Sequence, residues 1–421
     1  MIAWTKVTIS DVANEVTVGH VGPMASEYVD KGIPFLRSLN IEPFNIKYDG
    51  VKFITPSFHK RLQKSSLRPG DVVIVRTGKP GTCAVIPDWL LEANCSDVVI
   101  VRCSERVRPR FLCYVVNSVA GHHISSHIVG AVQQHFNVGS ARTLEFLLPS
   151  IEGQDAILAI LGTLDDKIDL NRRMNETLEA MARALFRDWF VDFGPTRAKM
   201  AGQTPYLVTE IWELFPDRLD DEGKPEGWSF SSIYDVASVV YGAPFASSLF
   251  NTQCDGIPLV RIRDLPSEKP GVWTTENHPK GFKILPGMIV VGMDGEFRAH
   301  LWGGEEAWLN QRVCVFQPNE GISSVFLRET IIPQLKFIED TEVATTVIHL
   351  GKGDIDGFTS LFPGKTLISA FNDGVEVFYK KIVQNKKEAQ SLAQLRDLLL
   401  PKLMSGEIRV RDAEKMMANA L

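Results

Sequence analysis

Residues 4–13 read WTKVTISDVA and residues 228–237 read WSFSSIYDVA, with the tryptophan, the isoleucine and the closing Asp-Val-Ala in the same places. Further matching runs keep the same order: GIPFLR at 32–37 with GIPLVR at 256–261, LRPGDVVIVRTG at 67–78 with ILPGMIVVGMDG at 284–295, His135 with His349, and LLP at 147–149 with LFP at 361–363. The offset between partners drifts only from 224 to 214, as loop deletions in one copy would produce. We infer a tandem duplication, with copies at about 1–195 and 228–410.

Each copy has the same internal order, a region of short β-type runs followed by a long helical pattern. Runs such as DVVIVR at 97–102 are bounded by glycine and proline, which is typical of strands. After LLP or LFP the apolar period becomes helical. We therefore predict five segments: a first module at 1–150, a helix at 151–193, a connector rich in Pro, Gly, Asp and Glu at 194–227, a second module at 228–363 and a second helix at 364–410.

The two helical patterns each carry a heptad seam, the spacing at which helices pair as a coiled coil. The residues expected to pair the helices and dock other subunits are Ile168, Asn171, Leu178, Leu185, Ile382, Asn385, Leu392 and Leu399. Asn171 and Asn385 share one seam position, so we favour a role in helix register over simple exposure to solvent, whereas Arg396 interrupts the second seam.

Duplicated halves usually relate by a pseudo-two-fold axis, which would make the two helices antiparallel. We therefore expect an α+β protein in which two tandem homologous α/β modules are separated by two long antiparallel coiled-coil helices. In that arrangement the modules lie at opposite ends of a rod.

The charge of the whole chain argues against DNA binding, but its distribution does not. The formal net charge is −6, whereas residues 1–145 hold 16 Lys+Arg against 12 Asp+Glu, and residues 228–357 hold 10 against 16. The loop RTGK at 76–79 follows a strand and offers two cations for phosphate or guanine. The corresponding loop at 293–298 offers acidic side chains that could accept from cytosine N4. An ordinary β-hairpin turn is the alternative for both loops.

The residues that we expect to contact DNA are cationic, amide, imidazole, acidic or loop residues. They are Arg37, Lys60, Lys64, Arg76, Thr77, Gly78, Lys79, Gln133, Gln134 and His135 in the first copy, and Arg261, Arg263, Asp294, Arg298, His349 and Lys352 in the second. For the amide and imidazole side chains, loop capping is the alternative.

Patterns typical of catalytic or metal sites occur only as near-misses. They are TSLFPGKT at 359–366, which lacks the first glycine of a phosphate-binding loop, a nuclease-like Asp217, Glu222 and Lys224 in the connector, and a histidine group of His122, His123 and His127. We therefore expect no catalytic residue, no metal and no cofactor in this chain. Six cysteines without a C-x-x-C pair predict buried, reduced thiols in a cytoplasmic protein, and no apolar run is long enough to span a membrane.

The run DDKIDLNRRMNETLEA at 165–180, followed by LFRDWFVDF at 185–193, resembles the central region of type I restriction-modification specificity (S) subunits, the HsdS family. PEGW at 225–228, LRDLLLPKLMSGEI at 395–408 and PGDV at 69–72 with RTG at 76–78 also resemble that family. The resemblance covers essentially the whole chain. The second copy departs from it, with FYKKI at 378–382 in place of the Asp-Asp-Lys-Ile run and with an acidic module.

The resemblance implies a non-catalytic subunit with two target-recognition domains, each of which reads one half of a bipartite site in double-stranded DNA. It also implies that the helices set the gap between the halves and dock two methyltransferase (M) subunits. S-adenosylmethionine, ATP and Mg²⁺ would belong to the M and restriction (R) subunits. One alternative is an assembly scaffold whose modules bind protein and not DNA. Another is an isolated nuclease that uses Asp217, Glu222 and Lys224.

Overall fold

A computed structural model describes residues 4–126, 136–341 and 348–420, and the chain divides into two compact units. Unit 1 contains Met1–Ile168 and Ser391–Leu421, and unit 2 contains Asp169–Gln390. Each unit therefore combines one β-rich region with part of each long helix.

Unit 1 contains many short strands, and one of them, Val72–Val75, is buried on both faces. Its strands are β1 (Thr5–Thr8), β2 (Ala13–Val18), β3 (Tyr28–Val29), β4 (Ile33–Leu36), β5 (Ile41–Glu42), β6 (Asn45–Ile46), β7 (Lys52–Ile54), β8 (Ser66–Leu67), β9 (Val72–Val75), β10 (Cys83–Val85), β11 (Ala93–Cys95), β12 (Val98–Cys103) and β13 (Glu145–Leu148). Val72 and Ile74 of β9 enter one apolar cluster, and Val73 and Val75 enter another. Apolar contacts on both sides explain the run VVIV in place of an alternating pattern.

The sheets of unit 1 are a four-stranded sheet of order β10-β9-β12-β2, a five-stranded sheet of order β3-β7-β4-β11-β8, and two pairs, β1-β13 and β5-β6. The helices are α1 (Ile9–Val12), α2 (Pro56–Arg61), α3 (Pro109–Ser126), α4 (Val138–Arg142) and the beginning of α5 (Ile151–Phe190). Strand β13 ends at Leu148, and α5 begins after Pro149, which agrees with the predicted change of period.

Unit 2 repeats this plan. Its strands are β14 (Ser229–Ser232), β15 (Ala237–Tyr241), β16 (Phe250–Asn251), β17 (Ile257–Val260), β18 (Trp273–Thr274), β19 (Lys283–Ile284), β20 (Ile289–Gly292), β21 (Ala299–Leu301), β22 (Ala307–Leu309), β23 (Val313–Pro318) and β24 (Thr359–Phe362). Its helices are α6 (Gly194–Met200), α7 (Thr209–Trp212), α8 (Ile233–Val236), α9 (Ser324–Thr341), α10 (Lys352–Asp356) and most of α11 (Lys365–Ser405), while α12 (Val410–Ala420) belongs to unit 1.

The order β21-β20-β23-β15 in unit 2 matches β10-β9-β12-β2 in unit 1, and β16-β18-β17-β22-β19 matches β3-β7-β4-β11-β8. In both units the first strand pairs with the last strand before the long helix, as β1-β13 and β14-β24. The shared strand order confirms the prediction of two homologous α/β modules.

The long helices α5 and α11 pair antiparallel within unit 2. The Nδ2 of Asn171 donates to Glu388 Oε2 at 2.9 Å, the Nδ2 of Asn385 donates to Asn175 Oδ1 at 2.9 Å, and Phe186 packs on Phe371 at a ring distance of 6.2 Å. Asn171 is 2% exposed and Asn385 is fully buried, so neither faces solvent. Each asparagine contacts the other helix, as a register role requires.

The remaining predicted seam residues are also buried or half-buried. Ile382 belongs to the core of unit 2, where Leu178 and Leu185 pack against it, and Leu392 and Leu399 belong to the core of unit 1, where Ile168 packs against it. Each fully buried leucine contributes on the order of 2 kcal/mol to the free energy of unfolding.

Arg396, which interrupts the apolar seam, has a partner on the other helix. Its Nη1 donates to Asp165 Oδ1 at 2.9 Å, and its guanidinium lies 4.4 Å from the ring centroid of Phe44. The apolar seam is therefore interrupted at this position, as expected, and an ion pair whose side chains are 12% and 14% exposed replaces the apolar contact.

The predicted connector at 194–227 is folded against the core of unit 2. It contains α6 and α7, and Trp212 and Phe215 are buried at 6% and 2% exposure. The ring of Phe215 lies 5.1 Å from that of Trp189 on α5. The polar composition of the segment concealed these aromatic anchors.

The near-misses do not form sites in the described residues. Residues 359–362 of the phosphate-loop resemblance are strand β24, and the amine of Lys224 bonds Asp220 and Glu222 while Asp217 bonds Lys199 at 3.0 Å. No group of three potential metal ligands occurs within residues 4–126, 136–341 and 348–420, and the side chains of His122, His123 and His127 lie outside the described part.

The cysteines are unbridged, but Cys254 is exposed, so the prediction of buried thiols is wrong there. Among the helices that the structure describes, none is both long and apolar enough to cross a membrane.

Candidate functional site

The loop after β9 and the residue before β12 meet in unit 1, and we call this place junction 1 (residues 76–79 with Asp97). The hydroxyl of Thr77 donates to the Asp97 carboxylate, and Arg76 Nη1 lies 3.6 Å from Asp97 Oδ1. The hydroxyl of Ser38 donates to Asp97 Oδ2 at 3.3 Å. Asp97 itself has a left-handed backbone conformation, with a φ of 54°, and its carboxylate fixes the loop through these contacts.

Gly78 has a φ of 84° and its counterpart Gly295 has a φ of 80°, which a residue with a Cβ rarely adopts. Both loops connect antiparallel strands, β9 with β10 and β20 with β21, so the alternative of a hairpin turn describes their backbone correctly. Contact between the side chains of these two loops and DNA stays a prediction.

Junction 2 (residues 293–298 with Arg312 and His349) is the equivalent place in unit 2. His349 Nδ1 lies 2.7 Å from Asp294 Oδ1, and Arg312 Nη1 lies 3.1 Å from His349 Nδ1 and 3.8 Å from Asp294 Oδ1. The backbone N–H of Leu350 donates to Met293 O at 2.8 Å, so the segment that carries His349 is fixed on the loop. Asp294 and His349, both chosen from the sequence, are thereby brought together.

The two junctions use one backbone plan. Phe136 N donates to Arg76 O at 3.1 Å, as Leu350 N donates to Met293 O in unit 2. The residue that precedes Phe136 is His135, which with Gln133 and Gln134 lies outside the described residues.

Asp97 and Arg312 were not among the residues predicted from the sequence. Both directly precede the central strand, β12 or β23, and both have positive φ, 54° and 69°. The same place therefore holds a carboxylate in unit 1 and a guanidinium in unit 2, with side chains 43% and 56% exposed. The signal was present, because the runs at 97–102 and 312–316 each begin with a charged residue before the apolar strand.

The other predicted cations fall into two groups. Within the ranges described, Lys60, Lys64, Lys79 and Arg263 are exposed and form no ion pair. The paired or bonded ones are Arg37 with the carbonyl of Gly50, Arg261 with Asp264, Arg298 with Glu339, and Lys352 with Asp356.

The ion pair at Arg298 orders the loop of junction 2. Its Nη1 donates to both oxygens of Glu339 at 3.0 and 2.8 Å, and the N–H of Phe297 donates to the same carboxylate at 3.2 Å. Burial acts to raise the pKa of Glu339, but the guanidinium and the N–H outweigh it and lower that pKa. Arg298 therefore acts first as a fixed element of the loop, and Arg312 is the more exposed cation.

Comparison with known proteins finds similarity to one family of proteins. The model for the type I restriction modification DNA specificity domain matches residues 1–180. The chain is 27% identical over 321 residues to the type I restriction enzyme HindI specificity subunit of Haemophilus influenzae, covering 64% of this chain and 70% of that protein. It is 23% identical over 425 residues to the MjaIX specificity subunit of Methanocaldococcus jannaschii, covering 97% and 94%.

The first part of the chain therefore matches a type I restriction-modification specificity domain, and the whole chain is similar to specificity subunits. The fold of the chain is also similar to the crystal structure of the type I restriction-modification S subunit from M. genitalium, with a TM-score of 0.52, 15% identity and 96% of both chains covered. Junction 1 lies inside the matched residues 1–180, and the internal repeat carries the same plan to junction 2.

Proposed function

We propose that this protein is the DNA sequence-specificity subunit of a type I restriction-modification complex, in which each module reads one half of a bipartite site. The observation that carries the proposal is the duplicated junction. One backbone plan presents the exposed carboxylate of Asp97 in unit 1 and the exposed guanidinium of Arg312 in unit 2. Because hydrogen-bond donors and acceptors on base edges distinguish base pairs in the major groove, the two modules are suited to different half-sites.

Cations that have no ion pair in the described residues, such as Lys60, Lys64 and Lys79, supply phosphate contacts in this proposal. Such contacts position a protein on the duplex without reading sequence. Base reading is assigned to the junctions, where neighbouring side chains orient the reading groups in the absence of DNA.

The paired helices are the spacer in this proposal. Helix α5 has 40 residues, which corresponds to roughly 60 Å at 1.5 Å per residue. The buried Asn171 and Asn385 keep one register of the pair, so the gap between half-sites has a defined length. The same helices would dock two M subunits, and R subunits would join that complex in the cytoplasm.

The chemistry is assigned to the partners. S-adenosylmethionine would be bound by the M subunits, ATP by the R subunits and Mg²⁺ by partner subunits, so this chain would contribute recognition and spacing and no catalytic group.

The test is sequencing of methylated adenine in cells that express this chain with its M partner, with M alone as the control. We expect methylation at one motif of two short halves separated by a fixed gap of unspecified sequence. A continuous motif would contradict the two-module proposal. If the assembled complex showed no sequence-dependent affinity for DNA, the result would favour the alternative hypothesis, an assembly scaffold that does not bind DNA.

A further inference from the structure

Unit 1 exposes a group of large apolar side chains at the connection between β10 and β11, which we call the aromatic patch (Tyr48, Trp89 and Leu91). These residues are 42%, 60% and 76% exposed. The rings of Tyr48 and Trp89 meet edge to face, with 5.4 Å between their centroids, so the two side chains orient each other. A group of large apolar side chains that remains exposed marks a surface for another molecule.

The equivalent connection in unit 2 leads from β21 to β22. Ile86 N donates to Asp71 O at 2.8 Å in unit 1, and Trp302 N donates to Met288 O at 2.8 Å in unit 2. The carbonyl of each of these two residues then accepts from the N–H of a glycine, at 2.9 and 2.7 Å. The connection to the next strand therefore begins at the same place in both units.

In unit 2 this connection is covered by α11. The amine of Lys386 donates to Leu301 O at 2.7 Å and to Glu268 Oε1 at 2.5 Å. Gln390 Nε2, one turn later, donates to Gly303 O at 3.3 Å. A Cβ on Gly303 would lie 2.8 Å from the Cβ of Lys386, so the absence of a side chain permits this close approach. The cover in unit 2 is thus a helix face that presents a lysine.

The connection in unit 1 does not fit beneath a helix at that distance. Pro87 stands where unit 2 has Gly303, and Asp88 and Trp89 follow it. Seven residues separate β10 from β11, whereas five separate β21 from β22. Because a side chain at the place of Gly303 would collide with the helix, the surface that is covered in unit 2 is exposed in unit 1.

The patch lies away from the loop that is assigned to DNA. Residues 76–79 connect β9 to β10, and β10 then runs antiparallel to β9 from Cys83 to Val85. The connection that carries Trp89 leaves the far end of β10, about 10 Å along the strand. This position favours a protein over DNA as the occupant.

The charge of the rim gives the chemistry of that protein. Asp49 and Asp88 outnumber Lys47 beside the patch, and all three are exposed and form no ion pair within residues 4–126, 136–341 and 348–420. Carboxylates repel phosphate and attract cations. The ring faces of tryptophan and tyrosine also attract lysine and arginine. A basic segment therefore fits the patch, as Lys386 fits beside Glu268 in unit 2.

We propose that the aromatic patch docks a lysine- or arginine-bearing helix of an M subunit, in the way that α11 covers the same place in unit 2. Trp89 and Leu91 supply the apolar contact, and the ring of Trp89 with the carboxylates of Asp49 and Asp88 receives the cation. The inference rests on the proposed function, in which M subunits bind this chain directly. Because α11 covers this place in unit 2, the two M subunits meet different surfaces.

The first measurement is the binding of purified M subunit to the full chain, followed by calorimetric titration. W89A/L91A is expected to weaken the binding of one M subunit by at least about tenfold and to leave the other unchanged, because a few large apolar anchors dominate most interfaces. Its thermal midpoint should match that of the original chain, because both side chains are exposed. The matched control is V21A, because Val21 is 72% exposed in the same unit and outside the patch. It should bind both M subunits with the original affinity.

The second measurement identifies the occupant by photo-crosslinking in the complex assembled with M and R subunits. The substitution Leu91→p-benzoylphenylalanine is expected to crosslink to a helix of M that contains lysine or arginine. The same photoreactive residue in place of Val21 should not reach that helix.

The inference is overturned if W89A/L91A binds both M subunits with the original affinity. It is also overturned if the crosslink from position 91 reaches an R subunit, a second copy of the chain or DNA, or if it reaches no molecule in the assembled complex. In each of these cases, methylation of a motif with two separated halves would still support the proposed function. Conversely, an assembled complex without sequence-dependent methylation would refute the proposed function, whereas the crosslink would still test the patch.

Discussion

At the scale of single residues, Arg312 carries the sharpest expectation. Its guanidinium is held by His349 and Asp294 and remains 56% exposed, as a group that reads a base must. R312A should relax recognition at one position of the second half-site, at a cost of about 1–3 kcal/mol, and leave the first half-site unchanged. Methylated-motif sequencing measures both halves at once. The comparison variant is R263A, which removes an exposed cation outside junction 2 that we expect to contact phosphate, and which should weaken binding without changing the preferred base. A uniform loss over all sequences with a smaller salt dependence would mean that Arg312 contacts phosphate.

His300 on β21 predicts a dependence of stability on pH. Burial, and then the nearby Lys386 and Arg328, lower its pKa from 6.5 to about 4. Between these values the unfolded chain takes up a proton that the folded chain does not, so stability falls as the pH decreases from about 6.5 towards 4. We expect about 1 kcal/mol of loss between pH 7 and 5.5, measured by urea unfolding. H300Q should lack this contribution, and an equal loss in H300Q would contradict the assignment.

Single residues also show where sequence reasoning ends. The buried Asn171 and Asn385 could be predicted, because a repeat and a heptad place them without any knowledge of loops. Asp97 and Arg312 could not be assigned, because their roles depend on a positive φ and on partners 20 and 37 positions away in the chain. Arg396 was recognised only as an interruption, because its partner Asp165 lies 231 positions away.

At the scale of elements, the buried asparagines of the helix pair should fix its register at a cost in the free energy of unfolding. The Oδ1 of Asn385 is buried without a hydrogen-bond partner in the described residues, which has a cost. N385L should raise the thermal midpoint by an amount equivalent to about 1 kcal/mol and permit methylation at more than one gap length. Thermal unfolding measures the first effect, and methylation of DNA that carries the two half-sites at different gap lengths measures the second. A less stable variant with an unchanged gap would show that Asn385 is only a packing residue.

Lengthening the helix pair tests its role as the spacer. One extra heptad after Asn175 in α5 and one after Asn385 in α11 keep the seam in phase, because these two residues contact each other. Seven residues add about 10 Å at 1.5 Å each, which equals about three base pairs at 3.4 Å. The gap in the methylated motif should grow by that amount. An insertion of four residues in α5 alone, which shifts the seam, is the control, and an unchanged gap after the paired insertion would exclude the helices as the spacer.

The elements themselves were largely predictable from the sequence. Strand β9, with its run of four apolar residues, and the start of α5 after Leu-Leu-Pro follow from local pattern. The folded connector did not follow, because Trp212 and Phe215 are isolated aromatics in a polar segment, and only the core of unit 2 gives them a place.

At the scale of the whole molecule, the net charge of −6 predicts weak binding of DNA by the isolated chain. The first module has a positive balance and the second a negative one, so M subunits are expected to add the missing phosphate contacts. A salt titration of DNA affinity should give a shallow slope for the chain alone and a steeper one for the complex with M. Tight, steeply salt-dependent binding by the isolated chain would contradict this expectation.

Unit 1 is formed by two separate parts of the chain, and this imposes an order on folding during synthesis. Leu392, Leu399 and Leu403 share a core with Val7 and Leu161, although the roughly 220 residues of unit 2 separate the two parts of the chain. At about 5–20 residues per second, a ribosome needs on the order of 10–45 seconds to supply the second part. During that time the first half of α5 presents an uncovered apolar stripe, so we expect the nascent first module to be prone to aggregation until Ser391–Leu421 has been made, while unit 2 can fold as soon as it emerges.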